Sequence, residues 1–209
     1  MHPVLVHNAR SRPVASPALL DNMFSLRCRV FRDRLKWDIN CEKNRDIDFY
    51  DRINPVYAIA TPDRRTATGC WRILPTNGPN MLRDIFPALV EHGPVPEADN
   101  VWEISRFAVD TLTPTYESLA SLHATTSELL IKLVEYGLNN GIKNFVAASD
   151  VRFERILKRS GLDVKRLGKV QRIGRTPAVS GYIDVTQKQL DRLYDVANRV
   201  AAEHEQRAA

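Results

Sequence analysis

Apolar residues recur with a helical period from residue 19 to about residue 34. At 100° per residue they fill one continuous arc, and polar residues fill the opposite side. Arg27 falls near the middle of the apolar arc, where a surface arginine would not be placed. We therefore predict that Arg27 points into a cavity or at a buried anion. The apolar arc consists of Leu19, Leu20, Met23, Phe24, Leu26, Val30 and Phe31.

The run from Val101 to Val109 has the pattern of a buried strand, yet it contains Glu103, Ser105 and Arg106. Charged side chains are almost never buried unless they are paired, so this run is more typical of a reaction site than of plain scaffold. In a regular strand, Glu103 and Arg106 point to opposite faces. We predict a β-bulge between them, which would let both side chains serve one site.

Strands and helices alternate along the rest of the chain. No internal repeat or long linker is present, so we predict one domain over residues 1–209, with a frayed tail at about 204–209. Residues 37–54 lack a clear period and predict a long ordered loop. The order of elements predicts an α/β or α+β sandwich around a mixed sheet. Strands are predicted at residues 4–7, 56–61, 68–74, 102–109, 142–148, 164–167 and 179–185, and helices at 19–34, 81–86, 118–140, 152–159 and 187–203.

Three arginines and three acids have positions that suggest a shared polar cluster. Arg72 lies in the otherwise apolar strand at residues 70–74, which makes it a third interior arginine after Arg27 and Arg106. A buried network that only fixes the loop to the sheet is the alternative, but such networks are costly and add little net stability. The cluster suits a small zwitterionic ligand, whose carboxylate binds arginine and whose ammonium binds carboxylate. The acidic candidates are Asp48, Asp51 and Glu103.

The composition predicts where the protein is located, and its charge distribution bears on the kind of partner it binds. The hydrophobic content of 44% and charged content of 26% are ordinary for a soluble protein, and no signal peptide or membrane-length apolar stretch is visible, so we predict a cytoplasmic protein. The formal net charge is +5, and Lys and Arg are concentrated between Arg152 and Arg175. That excess fits either an acidic partner or a solvated basic face.

Metal and thiol chemistry is not expected. The five histidines lack metal-ligand spacing, and no glycine-rich phosphate loop occurs. Cys28, Cys41 and Cys70 are odd in number and widely spaced, so we interpret them as reduced thiols that fill small apolar positions.

Five motifs occur in a fixed order: Leu26-Arg27-x-x-Val30-Phe31-x-x-Arg34-Leu35-x-Trp37, Asp48-x-x-Asp51, Gly69-Cys70-Trp71-Arg72-Ile73-Leu74, Met81-Leu82-x-Asp84-x-Phe86-Pro87 and Trp102-Glu103-x-Ser105-Arg106-Phe107. With them the chain resembles the LuxI-type N-acyl-homoserine-lactone synthases, which make quorum-sensing signals. The resemblance covers nearly all of the chain and is closest from about residue 23 to residue 110.

The resemblance implies a fold similar to that of GCN5-type N-acetyltransferases, with a mixed, splayed sheet flanked by helices. It implies S-adenosyl-L-methionine and an acidic acyl-acyl-carrier protein as substrates, with no permanently bound cofactor and no metal. The methionyl amine would attack the acyl thioester. The methionyl carboxylate would then close on its own γ-carbon and release methylthioadenosine.

The resemblance also assigns roles to residues. Glu103 is the candidate proton acceptor for the amine, with a water or a backbone carbonyl as the substitute. The catalytic group comprises Glu103, Arg106, Asp48, Arg72 and Ser105, and the S-adenosylmethionine site comprises Arg27, Phe31, Trp37, Asp48, Asp51 and Arg106. The acyl-chain wall comprises Met81, Phe86, Trp102, Phe107, Leu122, Phe145 and Ser149, although core packing is the default for most of these. The carrier protein would dock on Arg152, Arg155, Lys158, Arg159 and Arg166.

Two rival interpretations stay open. An acyl-CoA-dependent N-acyltransferase of similar fold would usually carry a glycine-rich turn after the central strand, and residues 110–117 contain no glycine. In a narrower form of this rival, the same lactone synthesis uses acyl-CoA as donor. A basic nucleic-acid-binding domain would explain the charge near Arg155 but not the arginines within apolar elements.

Overall fold

The computed structural model describes residues 3–9, 14–111 and 116–208, with the side chains of residues 116–122, 204–205 and 207–208 outside the description. Contacts along the chain define two compact units. The first unit comprises Met1–Arg72, Arg106–Lys132 and Val200–Ala209, and the second comprises Ile73–Ser105 and Leu133–Arg199. The single-domain organisation stays a prediction.

The strands of the described residues form a mixed sheet in the order β1-β2-β3-β4-β5-β8-β6, with β7 beside β8. They are β1 (Val4–Asn8), β2 (Val56–Ala60), β3 (Gly69–Pro75), β4 (Val101–Val109), β5 (Asn144–Asp150), β6 (Lys165–Arg166), β7 (Gln171–Ile173) and β8 (Thr176–Asp184). The α-helices are α1 (Pro17–Cys28), α2 (Met81–Asp84), α3 (Tyr116–Asn139), α4 (Val151–Arg159) and α5 (Gln187–Ala208).

Helix α1 begins where its sequence supplies a cap. The Ser16 hydroxyl accepts a hydrogen bond from the Leu19 amide at 3.2 Å, and Pro17 occupies the first turn, where a missing N–H has no cost. The α-helix ends at Cys28 and continues as a π-helical segment, Arg29–Arg34. The predicted helix is therefore present, but its last part has a wider turn.

The predicted apolar arc packs into the core of the first unit. Leu19, Met23, Leu26, Val30 and Phe31 are buried there, and Leu20 and Phe24 lie partly buried at its edge. The strand residues of this core are Tyr57, Ile59, Cys70 and Ala108. The pattern in the sequence thus identified the face of α1 that contacts the sheet.

Strand β3 and helix α3 approach closely at Gly69. A Cβ atom on Gly69 would lie 2.8 Å from Leu129 Cδ1 and 3.0 Å from Thr125 Cγ2. Two residues along, the Trp71 indole N–H donates to the Leu129 carbonyl at 2.9 Å. Glycine is required because the backbone of the strand contacts helix side chains directly. This contact fixes the strand that carries Arg72.

The second unit contains both kinds of strand pairing. Strand β5 pairs with β4 in parallel, from Val101↔Asn144 to Ile104↔Ala147, and with β8 in antiparallel fashion, from Asn144↔Asp184 to Asp150↔Ala178. This confirms the mixed sheet predicted from the sequence. The short strand β7, which pairs with β8, was not predicted. The core here contains Leu82, Val101, Val146 and Leu167.

The prediction of reduced thiols is wrong for two cysteines. Cys28, at the end of α1, and Cys41 form a disulfide, with their Cα atoms 6.0 Å apart. The chain after the π-helical segment folds back on α1, which a sequence separation of 13 residues does not reveal. Cys70 is a buried free thiol, and burial raises its pKa to about 12.

The structure shows no membrane-spanning helix among the residues that it describes. Its helices are either too short or too polar to cross a bilayer.

The contact at Gly69 generates a stability prediction. We expect Gly69→Ala to lower the free energy of unfolding by about 1–3 kcal/mol, because the added methyl group overpacks against the buried Leu129. Urea unfolding followed by far-UV circular dichroism measures this change. Gly78→Ala is the matched control, since its Cβ would come no closer than 3.9 Å to another atom. Equal stability of the two variants would contradict the close packing.

Candidate functional site

Arg27 is held by two carboxylates inside the first unit. Its Nε donates to Asp46 Oδ2 at 3.0 Å, and its two terminal nitrogens donate to Asp51 Oδ1 and Oδ2 at 2.8 and 2.9 Å. The Arg27 side chain is buried, as are those of both acids. The prediction that Arg27 points at a buried anion is confirmed, and the parallel pair of bonds to Asp51 is the strongest arginine–carboxylate geometry.

Arg72 binds the same loop from strand β3. Its Nη1 donates to Asp48 Oδ1 at 2.6 Å and to Asp51 Oδ1 at 2.9 Å. The hydroxyl of buried Tyr57 on β2 also donates to Asp51 Oδ1, at 2.6 Å. Asp51 is therefore a hub that ties α1, β2 and β3 to one loop.

A reciprocal cap fixes the two loop acids. Asp48 caps a short 3₁₀ helix, Phe49–Asp51, of which Asp51 is the last residue. The Asp51 amide donates to Asp48 Oδ1 at 3.2 Å, and the Asp48 amide donates to Asp51 Oδ2 at 2.9 Å. The three-residue spacing noted in the sequence is that of a capping box, which orients both carboxylates locally.

Arg106 completes this network from strand β4. Its Nε donates to Asp46 Oδ2 at 2.8 Å, and its Nη2 lies 2.9 Å from Asp48 Oδ2. Its φ of 55° is in the left-handed region, which is rare for a residue other than glycine and breaks the regular pleat. The irregularity lies at the end of the stretch from Glu103 to Arg106 in which the sequence predicts a bulge, and the bulge itself stays a prediction.

Aromatic rings lie beside all three guanidinium groups. The Cζ atoms of Arg27, Arg72 and Arg106 lie 5.3, 5.4 and 5.5 Å from the ring centroids of Phe24, Tyr50 and Phe31, respectively. A ring face attracts a cation and excludes water, so these contacts favour the arginines in their buried positions. Trp37 stacks on Phe31 with ring centroids 5.1 Å apart, so the two proposed S-adenosylmethionine-binding aromatics are in contact with each other.

The network balances three arginines against three aspartates. Burial alone would raise the pKa of Asp51, but the charges of Arg27 and Arg72 and the hydrogen bonds to its carboxylate hold that pKa well below its usual range. Burial and the adjacent Asp51 charge raise the pKa of Tyr57, so its hydroxyl stays protonated and remains a donor. Asp51 is consequently charged throughout the physiological pH range.

Exposure separates the network into inner and outer members. The side chains of Arg27, Asp46, Asp51 and Arg72 are at most 2% exposed. Those of Asp48 and Arg106 are 22% and 8% exposed. The inner groups therefore hold the loop, whereas Asp48 and Arg106 retain surface that a ligand can contact.

Glu103 and Ser105 belong to the second unit. The Glu103 side chain is buried, and its Oε1 accepts a hydrogen bond from the Leu82 amide, in the first turn of α2, at 2.7 Å. Ser105 is partly buried. A common site for Glu103 and Arg106 stays a prediction.

The predicted acyl-chain wall is divided between the units. Phe145 is fully buried in the second unit and pairs in register with Trp102, which stacks edge-on with Tyr136. Phe86 packs against the core of the same unit. Met81 and Ser149 are partly buried there, Phe107 is partly buried in the first unit, and the Leu122 side chain lies outside the described residues.

The basic helix α4 has one internally neutralised side. Buried Glu154 accepts from Arg166 Nε and Nη2 at 2.9 and 2.7 Å, and Lys158 Nζ lies 3.0 Å from its Oε1. Arg152, Arg155 and Arg159 are exposed. Of the five predicted docking residues, these three lie outside the cluster around Glu154.

Two residues of the network were missed from the sequence. Asp46 precedes the predicted acidic pair by two residues, and Tyr57 was assigned only to a strand. A third acid in the same aperiodic loop was the available signal for Asp46, whereas nothing marked Tyr57. Among the described residues, no group of three or more His, Cys, Asp or Glu side chains is arranged to hold a metal ion.

Comparison with known proteins gives consistent matches over most of the chain. The sequence model of the family described as autoinducer synthase matches residues 12–193. An acyl-homoserine-lactone synthase of Rhizobium radiobacter is 40% identical over 174 residues, which are 83% of this chain and 82% of the relative.

Solved structures agree with the predicted fold. The AHL synthase LasI superposes with a TM-score of 0.81 and 33% identity, covering 93% of this chain and 95% of LasI. The CoA-dependent acyl-homoserine lactone synthase BjaI, solved with MTA, superposes with a TM-score of 0.82 and 25% identity, covering 96% of this chain and 90% of BjaI. A protein described as an N-acetyltransferase, from Lactobacillus plantarum, gives 0.59 at 16% identity over 88% of this chain and 98% of that protein, and supports the fold alone.

The Asp51 hub generates a pH-dependent stability prediction. We expect Asp51→Asn to cost about 3–5 kcal/mol at pH 7, because it leaves Arg27 and Arg72 buried without their main counter-charge. A lowered folded-state pKa adds stability above the unfolded value of about 3.9, and this stability is lost as pH falls through the folded value. The gap between wild type and variant should therefore shrink below about pH 4.

Urea unfolding of both proteins at pH 7 and at pH 3 measures this gap. Asp21→Asn is the control, because its ion pair with Arg45 is largely exposed. A gap that stays constant or widens at low pH would show that Asp51 is not held ionised by the two arginines.

Proposed function

We propose a specific reaction for this chain, which belongs to the autoinducer synthase family and is an acyl-homoserine-lactone synthase. In this proposal its substrates are S-adenosyl-L-methionine and an acyl-acyl-carrier protein, and it acts in the cytoplasm. The family resemblance stated from the motifs is thereby confirmed. The observation that carries the proposal is the separation of the charged network into four fully buried members and two partly exposed ones, Asp48 and Arg106.

The exposed members suit the amino-acid end of S-adenosylmethionine. That end carries an ammonium and a carboxylate, and Asp48 and Arg106 offer the opposite charges on partly exposed side chains. Phe31 and Trp37 form a stacked aromatic pair beside Arg106, which suits the sulfonium cation or the adenine ring of S-adenosylmethionine. The MTA bound to BjaI is the methylthioadenosine that such a reaction releases, which supports the same substrate here.

The proposed reaction has two balanced steps. The neutral methionyl amine attacks the thioester carbonyl carbon, the carrier leaves as its thiolate, and the amine proton passes to a base and from there to that thiolate. The methionyl carboxylate oxygen then attacks the γ-carbon, and the sulfonium leaves as neutral methylthioadenosine. Glu103 is the proposed base, either directly or through a water, and Ser105 is proposed to lie beside the reacting atoms. Arg72 acts from inside the network by holding Asp48.

Helix α4 is the proposed docking surface for the acidic carrier protein. Arg152, Arg155 and Arg159 are spaced at i, i+3 and i+7, so they lie on one exposed helix face. Ile156, 46% exposed, lies on the same face and offers an apolar contact among the three charges. We propose that Lys158 and Arg166 contribute less to docking, because both pair with Glu154, whose single charge offsets one of their two charges.

A CoA thioester is the second candidate for the acyl donor. BjaI is described as CoA-dependent and superposes with a TM-score of 0.82, which supports a CoA thioester as a donor that this fold can accommodate. The two donors are distinguished by measuring turnover with the same acyl group carried either on the acyl-carrier protein or on CoA.

The proposed base yields an activity prediction. We expect Glu103→Gln to reduce methylthioadenosine release by about 10²–10⁴-fold, because the amide cannot accept the amine proton. Mass spectrometry of the lactone product provides the parallel readout. Glu97→Gln, an exposed acid of the same unit, should retain wild-type turnover. A fully active Glu103→Gln enzyme would eliminate Glu103 as the base, and a wild-type enzyme that makes no lactone would refute the proposed function.

The docking surface yields a separate kinetic prediction. We expect Arg155→Glu with Arg159→Glu to raise the KM for the acyl-carrier protein by about tenfold at low salt, because the acidic partner loses two favourable charges. The KM for S-adenosylmethionine should stay unchanged. The double variant Lys188→Glu with Arg199→Glu makes the same charge change on exposed residues of α5 and serves as control. An unaltered carrier-protein KM in the α4 variant would reject this surface.

A further inference from the structure

We infer that Asp46 is a positioning residue that holds Arg106 in the orientation required for S-adenosylmethionine binding. This inference rests on the proposed function of the site. No motif singled out Asp46, yet it accepts hydrogen bonds from the Nε atoms of both Arg27 on α1 and Arg106 on β4.

Asp46 binds one edge of the Arg106 guanidinium through both of its carboxylate oxygens. Asp46 Oδ2 accepts from Arg106 Nε at 2.8 Å, and Oδ1 accepts from Nη2 at 3.4 Å. The same Oδ2 accepts from Arg27 Nε at 3.0 Å. The contact with Asp46 fixes one edge of the Arg106 guanidinium, and its Nη2 also lies 2.9 Å from Asp48 Oδ2.

Burial decides that Asp46 acts through Arg106 and not on a ligand. The Asp46 side chain is 2% exposed, whereas that of Arg106 is 8% exposed and that of Asp48 is 22% exposed. Its backbone is fixed as well, since the Asp46 amide donates to the Phe24 carbonyl at 3.1 Å. A short carboxylate on an anchored backbone defines the position of the guanidinium closely.

Arg106 needs such support because its backbone is unfavourable. A left-handed conformation at a residue other than glycine persists only where the surroundings enforce it. Asp46 supplies a charged anchor for the Arg106 side chain. The ring centroid of Phe31 lies 5.5 Å from the Arg106 Cζ, and Phe31 also stacks on Trp37. Without Asp46, the arginine would remain charged but would lose its fixed direction.

The test separates positioning from folding. We expect Asp46→Asn, which keeps the shape but removes the charge, to raise the KM for S-adenosylmethionine at least about tenfold with no change in the KM for the acyl donor. Asp46→Glu keeps the charge on a longer side chain and should raise that KM by roughly threefold. A purely structural role would lower the amount of active enzyme and leave both KM values at the wild-type level.

Two further measurements make the outcome decisive. Isothermal titration of S-adenosylmethionine should show the same loss of affinity without turnover, and in an Arg106→Lys background Asp46→Asn should add little to it, because coupled residues are not additive. Asp21→Asn is the control acid.

Wild-type S-adenosylmethionine KM in Asp46→Asn overturns the inference. If that variant does not fold, wild-type KM in Asp46→Glu overturns it in its place. A wild-type protein that binds no S-adenosylmethionine refutes the proposed substrate instead.

Discussion

Three buried arginines can exist in this protein only because three aspartates neutralise them. Removing a guanidinium from water costs several kcal/mol unless paired carboxylates and hydrogen bonds compensate. Arg27, Arg72 and Arg106 come from α1, β3 and β4, and their partners all come from the loop between residues 46 and 51. The loop is therefore held in one conformation by charge pairing, and its fold follows from the elements that supply the arginines.

This constraint links the scaffold to the chemistry. Gly69 lets β3 contact α3, Trp71 locks that contact, and Arg72 then enters the network from a fixed strand. Asp51 uses its carboxylate for two arginines and Tyr57, whereas the side chain of Asp48 is 22% exposed. A zwitterionic substrate requires a positive and a negative group at the surface, and the buried charges keep that pair in place.

Much of the site could be predicted because charged residues interrupt regular apolar patterns. Arg27, Arg72 and Arg106 each break a helix or strand period, so the sequence marks them as interior. Asp46 lies in a loop without a period, so its burial had no such signal, and the disulfide between Cys28 and Cys41 depends on how that same region folds back. The π-helical turn and the short strand β7 depend on tertiary packing, so the local sequence pattern does not predict them. Whether Glu103 and Arg106 meet at one substrate remains a prediction, as does the donor.

A structure of the protein with S-adenosylmethionine bound tests the central claim most directly. The account predicts that the methionyl ammonium and carboxylate lie within about 3 Å of Asp48 and Arg106, with Asp46, Arg27 and Arg72 unmoved behind them. A methionyl group bound elsewhere, or a network that rearranges so that inner groups contact the ligand, would contradict it.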